Sequence, residues 1–168
     1  MAQAGILVED DRVELIDGDL IDMAPIGSRH AGAVSRLTRL FGAAVGADAI
    51  VSVQNPVQLD RYSQPQPDLA LLRPRADFYA ESHPQPADVL LIVEVAEASL
   101  DYDRDVKVPL YARHGVPEVW LLDVAGRSLT VYRAPGPDGY GEQRRIGSAE
   151  SIGPVSLPGV VIDLAGLL

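Results

Sequence analysis

"VLLIVEVAEASLDYDRDVKVPLYARHGVPEVWLLD", residues 89 to 123, decides the fold. It opens on Val89 to Ala96, an apolar run interrupted only by Glu94 and too uniformly hydrophobic to alternate between a wet and a dry face. Such a run reads as a central strand covered on both sides. A helical segment follows, roughly Asp103 to His114 and closed by Gly115, and the chain returns as a strand over 118 to 124. Pro109 is tolerated only in a first helical turn, so regular helix is expected to begin near Asp105.

The flanks extend the pattern. Residues 13 to 24, "VELIDGDLIDMA", read as a hairpin, because Asp17-Gly18 suits a two-residue turn that needs positive φ. Ser28 is a candidate N-cap for a helix whose apolar stripe is Val34, Leu37, Phe41 and Val45, ended by Gly46. Strands are expected over 49 to 54, 56 to 60 and 68 to 73, and the polar stretch 73 to 88 has room for one short helix. Residues 128 to 133 form another strand after a turn at Ala125-Gly126. The stretch 134 to 143 reads as a loop, 142 to 146 as an edge strand, and 160 to 168 as a closing strand and short helix. The whole is a mixed α/β domain over residues 1 to 168, neither a regular βαβ alternation nor an all-β sandwich.

Composition limits the function. The chain of 168 residues has room for one sizeable core. It has no cysteine, so disulfides, thiolate chemistry and zinc–thiolate sites are excluded. No apolar run suggests a membrane span and the first residues do not resemble a secretory signal, so a cytoplasmic location is expected. Net charge is -10, from 14 Lys+Arg against 24 Asp+Glu, which disfavours a generic polyanion partner. A bound cation or a local basic rim can reverse that sign at one site.

Three acids are unusual in their placement: Glu14 between Val13 and Leu15, Asp68 at the mouth of an apolar strand, and Glu94 inside one. A charge so placed is costly unless it is paired or holds a metal. If their strands are neighbours, Asp68 and Glu94 can converge on one cation, and magnesium is commonly held by one or two carboxylates with water and substrate phosphate. Two of these acids also have a plainer role: a turn cap for Asp68, a solvated hairpin residue for Glu14. His30, His83 and His114 have no ligand spacing and read as solvated or capping histidines. Trp120 reads as core.

The ordered set "ELIDG", "QPDLALL", "VEVA", "YDRDVK" and "YARHGVPEVW" resembles the Uma-two family of the PD-(D/E)XK nuclease superfamily, over about residues 12 to 165. The resemblance implies a restriction-endonuclease-like single domain, with a central mixed sheet flanked by helices and preceded by an N-terminal hairpin. It implies that Asp68 and Glu94 bind Mg2+ (or Mn2+) and that Glu14 completes the acidic cluster. Ala96 stands where the superfamily has lysine, and the resemblance makes Lys107 the replacement. Asp103, Lys107 and Tyr111 share one helical stripe, so Lys107 is expected to reach the cavity beside Glu94.

The expected function is Mg-dependent DNA endonuclease chemistry, with DNA as partner and no membrane; a homodimer would suit cutting of both strands. Two rivals stand beside it. One is an inactive nuclease fold kept for binding or regulation, which Ala96 and the net charge favour. The other is a metal-dependent hydrolase of a small phosphoester. Arg73, Arg75 and Arg104 at one cleft mouth would favour DNA over the small substrate.

Overall fold

The computed structural model describes residues 12–168. The hairpin is present as β1 (Val13–Ile16) and β2 (Asp19–Asp22), with Asp17 at φ 48° and Gly18 at φ 90°, both left-handed as the turn chemistry requires. Helix α1 runs Ser28–Val45, with Gly46 closing it at φ 51°. Its N-cap is Gly27 rather than Ser28, and no side chain caps it. The Glu97 carboxylate lies against Gly27 instead, so a Cβ there would meet Glu97 Oε2 at 2.7 Å. An acid at the positive end of a helix helps to do what a capping hydroxyl would do.

Strands β3 (Ile50–Val53), β4 (Leu69–Leu72) and β5 (Val89–Ala96) follow, with a short 3-10 turn at Pro86–Asp88 before β5. Residues 56 to 60 form no strand. Val57 and Leu59 are buried alternately, which imitates strand periodicity, but their amides bond to the Pro65 and Ser63 carbonyls of a loop. The segment after β5 is helical from further upstream than Pro109 suggests: α2 (Leu100–Tyr102), a π-helical turn Asp103–Lys107, and α3 (Val108–Arg113). Pro109 sits in the first turn of α3, where its missing N–H costs little.

Next come β6 (Glu118–Asp123), β7 (Ser128–Gly136) and β8 (Gly139–Ile146). The stretch expected as a loop is a second hairpin, with β7 running on to Gly136 and pairing with Gly139 across a two-residue turn. Glycine and proline density concealed it. β9 (Ser151–Ile152) pairs with β10 (Ile162–Asp163), and a 3-10 turn Leu164–Gly166 follows.

One six-stranded sheet, ordered β3-β4-β5-β6-β7-β8, organises the molecule. Only β5 and β6 run parallel, because α2, the π turn and α3 cross over between them; every other neighbouring pair is antiparallel. α1 packs on one face through Val34, Leu37, Phe41 and Val45 against Leu69, Leu91, Val93 and Trp120. α3 covers the other through Val108, Leu110 and Tyr111 against Ala70, Ile92, Ala96 and Leu121. β5 is buried at every residue, as its unbroken apolar run requires. Among the described residues no helix is long and apolar enough to cross a membrane.

Candidate active site

β4 and β5 pair Leu69 with Val93, so Asp68 lies one step beyond the register, opposite Glu94. Glu94, Ile92 and Ala96 share a face by strand alternation, and that face looks toward the π turn and α3. Asp68 and Glu94 line one cavity of about 460 Å³ at this end of the sheet, together with Glu14 from β1 and Lys107 from the π turn.

Lys107 is the hub. Its Nζ lies 2.8 Å from Glu94 Oε1 and donates to Glu14 Oε1 at 2.9 Å, with all three side chains almost wholly buried. The π turn helps to aim it: Asp103 and Lys107 point inward while Arg104 and Asp105 face solvent. π segments are uncommon and concentrate at functional sites. Tyr111, one turn on, donates its hydroxyl to Glu94 Oε1 at 2.6 Å, so it fixes the acid rather than the lysine.

The electrostatics follow from burial. Desolvation pushes the Glu94 carboxyl up to about 8; Lys107 opposes this, and Asp103, Asp68 and Glu14 add to it. Burial works against the charge on Lys107, yet Glu94, Glu14 and Asp103 outweigh it and hold the ammonium well above its usual range. Lys107 is therefore a fixed cation and not a proton acceptor. Asp103 is also raised, chiefly by burial, and accepts from the Ser99 hydroxyl at 2.6 Å.

Asp68 is held from several sides. Oδ2 accepts from the Val95 amide at 2.8 Å, while Oδ1 accepts from Gln54 Nε2 at 3.3 Å and lies 3.0 Å from His30 Nε2. His30 was expected to be a solvated or capping residue. It lines the cavity instead, and the Asp68 hydrogen bond raises its pKa. Its position in the first turn of α1 carried no spacing signal, since its partner is 38 residues away. His114 does serve as a cap: its ring contacts Leu110 O at 2.9 Å and Asp60 Oδ2 at 3.0 Å.

Glu14 reaches the cavity, but its Oε1 is committed to Lys107 and to the Gln66 amide at 2.7 Å. Among the described residues no three of the His, Asp and Glu side chains are gathered into a metal-holding group. Arg73, Arg75 and Arg104 are not at this mouth either. Arg75 pairs with Asp77, Arg104 with Asp101 and Asp105, and Arg73 donates to Ala87 O.

The donor chemistry nevertheless suits a hard divalent cation. Asp68, just before β4, and Glu94 on β5 turn carboxylate oxygens toward one cavity, and no hydrogen bond from the described residues engages Glu94 Oε2. A two-carboxylate set is what magnesium typically takes from protein, with waters and phosphate filling the rest. Six acids line the cavity against Arg12 and Lys107, an imbalance that a dication would offset.

The family model described as "Putative restriction endonuclease", Uma2, matches residues 5–165. The chain belongs to the Uma2 family. Among solved structures it is similar to a putative nuclease belonging to DUF820 from Anabaena variabilis. That likeness has a TM-score of 0.76 at 14% identity and covers 98% of this chain and 94% of the other. At that identity the likeness speaks for the fold, which is the restriction-endonuclease-like α/β arrangement expected from the sequence. No curated protein matches the chain.

Proposed function

We propose that this Uma2 protein is a magnesium- or manganese-dependent nuclease that hydrolyses phosphodiester bonds in DNA. One observation carries the reading: Asp68, Glu94 and Lys107, from three separate elements, meet at one cavity at the end of the sheet. Asp68 and Glu94 would hold the cation. When bound, it supplies a water acidified enough to attack and neutralises charge on the phosphoryl oxygens. Lys107, kept protonated by its acidic neighbours, presents a fixed positive charge to the same oxygens. Glu14 and Tyr111 hold Lys107 and Glu94 in place, and His30 orients Asp68. Lys107 thus takes from the helix the charge that Ala96 cannot provide from β5.

A second reading, hydrolysis of a small phosphoester, is favoured by the acid-rich lining and by the absence of Arg73, Arg75 and Arg104 from the mouth. Calorimetric titration with Mn2+ tests the shared metal site. Heats unchanged in the Asp68→Ala/Glu94→Ala variant would remove the metal site and leave the inactive-module reading. Rates on supercoiled DNA and on bis(p-nitrophenyl) phosphate, measured with and without chelator, separate the two substrates. Turnover of the small ester alone would overturn the DNA assignment.

A further inference from the structure

A second cavity of about 410 Å³ lies beside the first and has the opposite character. Arg29, Arg36 and Arg127 line it against one acidic side chain, Asp123, with Leu168 also in the lining. In a chain of net charge -10 such a concentration of positive groups is unexpected. All three arginines are exposed, and among the described residues none is paired with an aspartate or glutamate. Elsewhere Arg75, Arg104, Arg113, Arg133 and Arg144 are each spent on an acid. Arg36 donates to Gly166 O at 3.3 Å and Arg127 to Leu168 O at 2.8 Å, which leaves most of each guanidinium's five N–H groups free.

Residues adjacent in the chain or hydrogen-bonded to one another line the two cavities. His30 faces Asp68 in the first, and its neighbour Arg29 lines the second. The Val124 amide of the second donates to Ala96 O at 2.9 Å, and Val95 and Glu97 on either side of Ala96 line the first. Arg29 and Arg36 stand seven residues apart on one face of α1, roughly 10 Å along its axis, enough to meet more than one phosphate.

We propose that Arg29, Arg36 and Arg127 bind the backbone phosphates of the nucleic acid whose scissile phosphate enters the neighbouring acidic cavity. The identity of the ligand rests on the nuclease reading above; the anion site itself rests on the arginines. Guanidinium forks match phosphate geometry, and phosphate contacts position a nucleic acid without reading its sequence. The division of labour is electrostatic: acids collect the cation at the reacting phosphate, and arginines hold the phosphates alongside.

The test is equilibrium binding of a short DNA duplex, with calcium in place of magnesium, across a series of salt concentrations. Arg29→Gln/Arg36→Gln/Arg127→Gln should bind at least about tenfold more weakly at 0.1 M salt. Its slope of log affinity against log salt should be shallower by roughly two to three, since each lost phosphate contact removes about 0.9. Arg61→Gln/Arg73→Gln/Arg145→Gln removes the same charge elsewhere and should keep the wild-type slope. Equal losses in the two triple variants would overturn the proposal, as would unchanged binding in the first or no binding by the wild type. Loss of inorganic phosphate binding with DNA binding intact would also overturn it, leaving a small-anion site. If the wild type binds DNA through these arginines yet cleaves nothing, the proposal stands and the nuclease reading falls. If it cleaves DNA and the first triple variant binds normally, the reverse holds.

Discussion

Glu94 joins folding to chemistry at the scale of one side chain. Its folded pKa of about 8 lies well above that of a free carboxyl, so the folded state holds this proton more tightly than the unfolded chain does. The stability this confers is full below the unfolded value and is lost as pH rises through 8. Metal-free protein should therefore melt at lower temperature at pH 8.5 than at pH 5.5, and Glu94→Gln should remove much of that slope; a slope unchanged in the variant would point to another group. Lys107→Met should be destabilising at both pH values and more so at pH 8.5, because it leaves Glu14, and at the higher pH Glu94 as well, buried without a counter-ion. Breaking a buried pair in this way costs about 3–5 kcal/mol. Urea unfolding at the two pH values measures it, and a neutral result would mean that water reaches the pair.

At the scale of elements, the β1–β2 hairpin delivers Glu14 and depends on its turn. Asp17 and Gly18 both have positive φ, and the Gly18 amide also donates to Tyr62 O at 2.8 Å. Gly18→Val should cost roughly 1–3 kcal/mol of backbone strain, read as a melting temperature lowered by several degrees. A normal melting temperature would show that the turn relaxes into another type. The π turn is the other decisive element. It lets a helix that begins at Leu100 carry Pro109 without a break and still bury both Asp103 and Lys107.

For the molecule as a whole, α1 and the sheet form one core, centred on Phe41 and Trp120 with ring centroids 5.5 Å apart. Both rings are fully buried. Phe41→Ala should cost about 3–5 kcal/mol through the cavity it leaves, lowering the melting temperature on the order of 10 °C. Calorimetry checks this, and a loss below about 1 kcal/mol would mean that the core collapses around the gap. Trp120 belongs to this core and not to a base-stacking platform, and its Nε1 donates to the buried Glu118 at 2.7 Å. Charge is also distributed at this scale: six acids line one cavity and three arginines without an acidic partner among the described residues line the other, a separation that net charge cannot express.

By itself the sequence determined what short-range physics governs. Hydrophobic period placed α1, β4, β5 and β6, turn chemistry placed the first hairpin, and the ordered motifs placed the chain in its family. They also singled out Asp68, Glu94 and Lys107. Partnership across space was decided only by the tertiary structure. Glu14 and Lys107 are 93 residues apart in sequence, and nothing local to either shows that the lysine would neutralise the early acid rather than join it around a metal. His30 meets Asp68 only because α1 begins against the mouth of β4. Arg73, Arg75 and Arg104 lie close to the site in sequence yet do not line it, while Arg127 lines one cavity with Arg29 and Arg36 from far along the chain. Sequence spacing constrains a side chain within its own helix or strand; which ends of the sheet and helices come together depends on how the whole core packs.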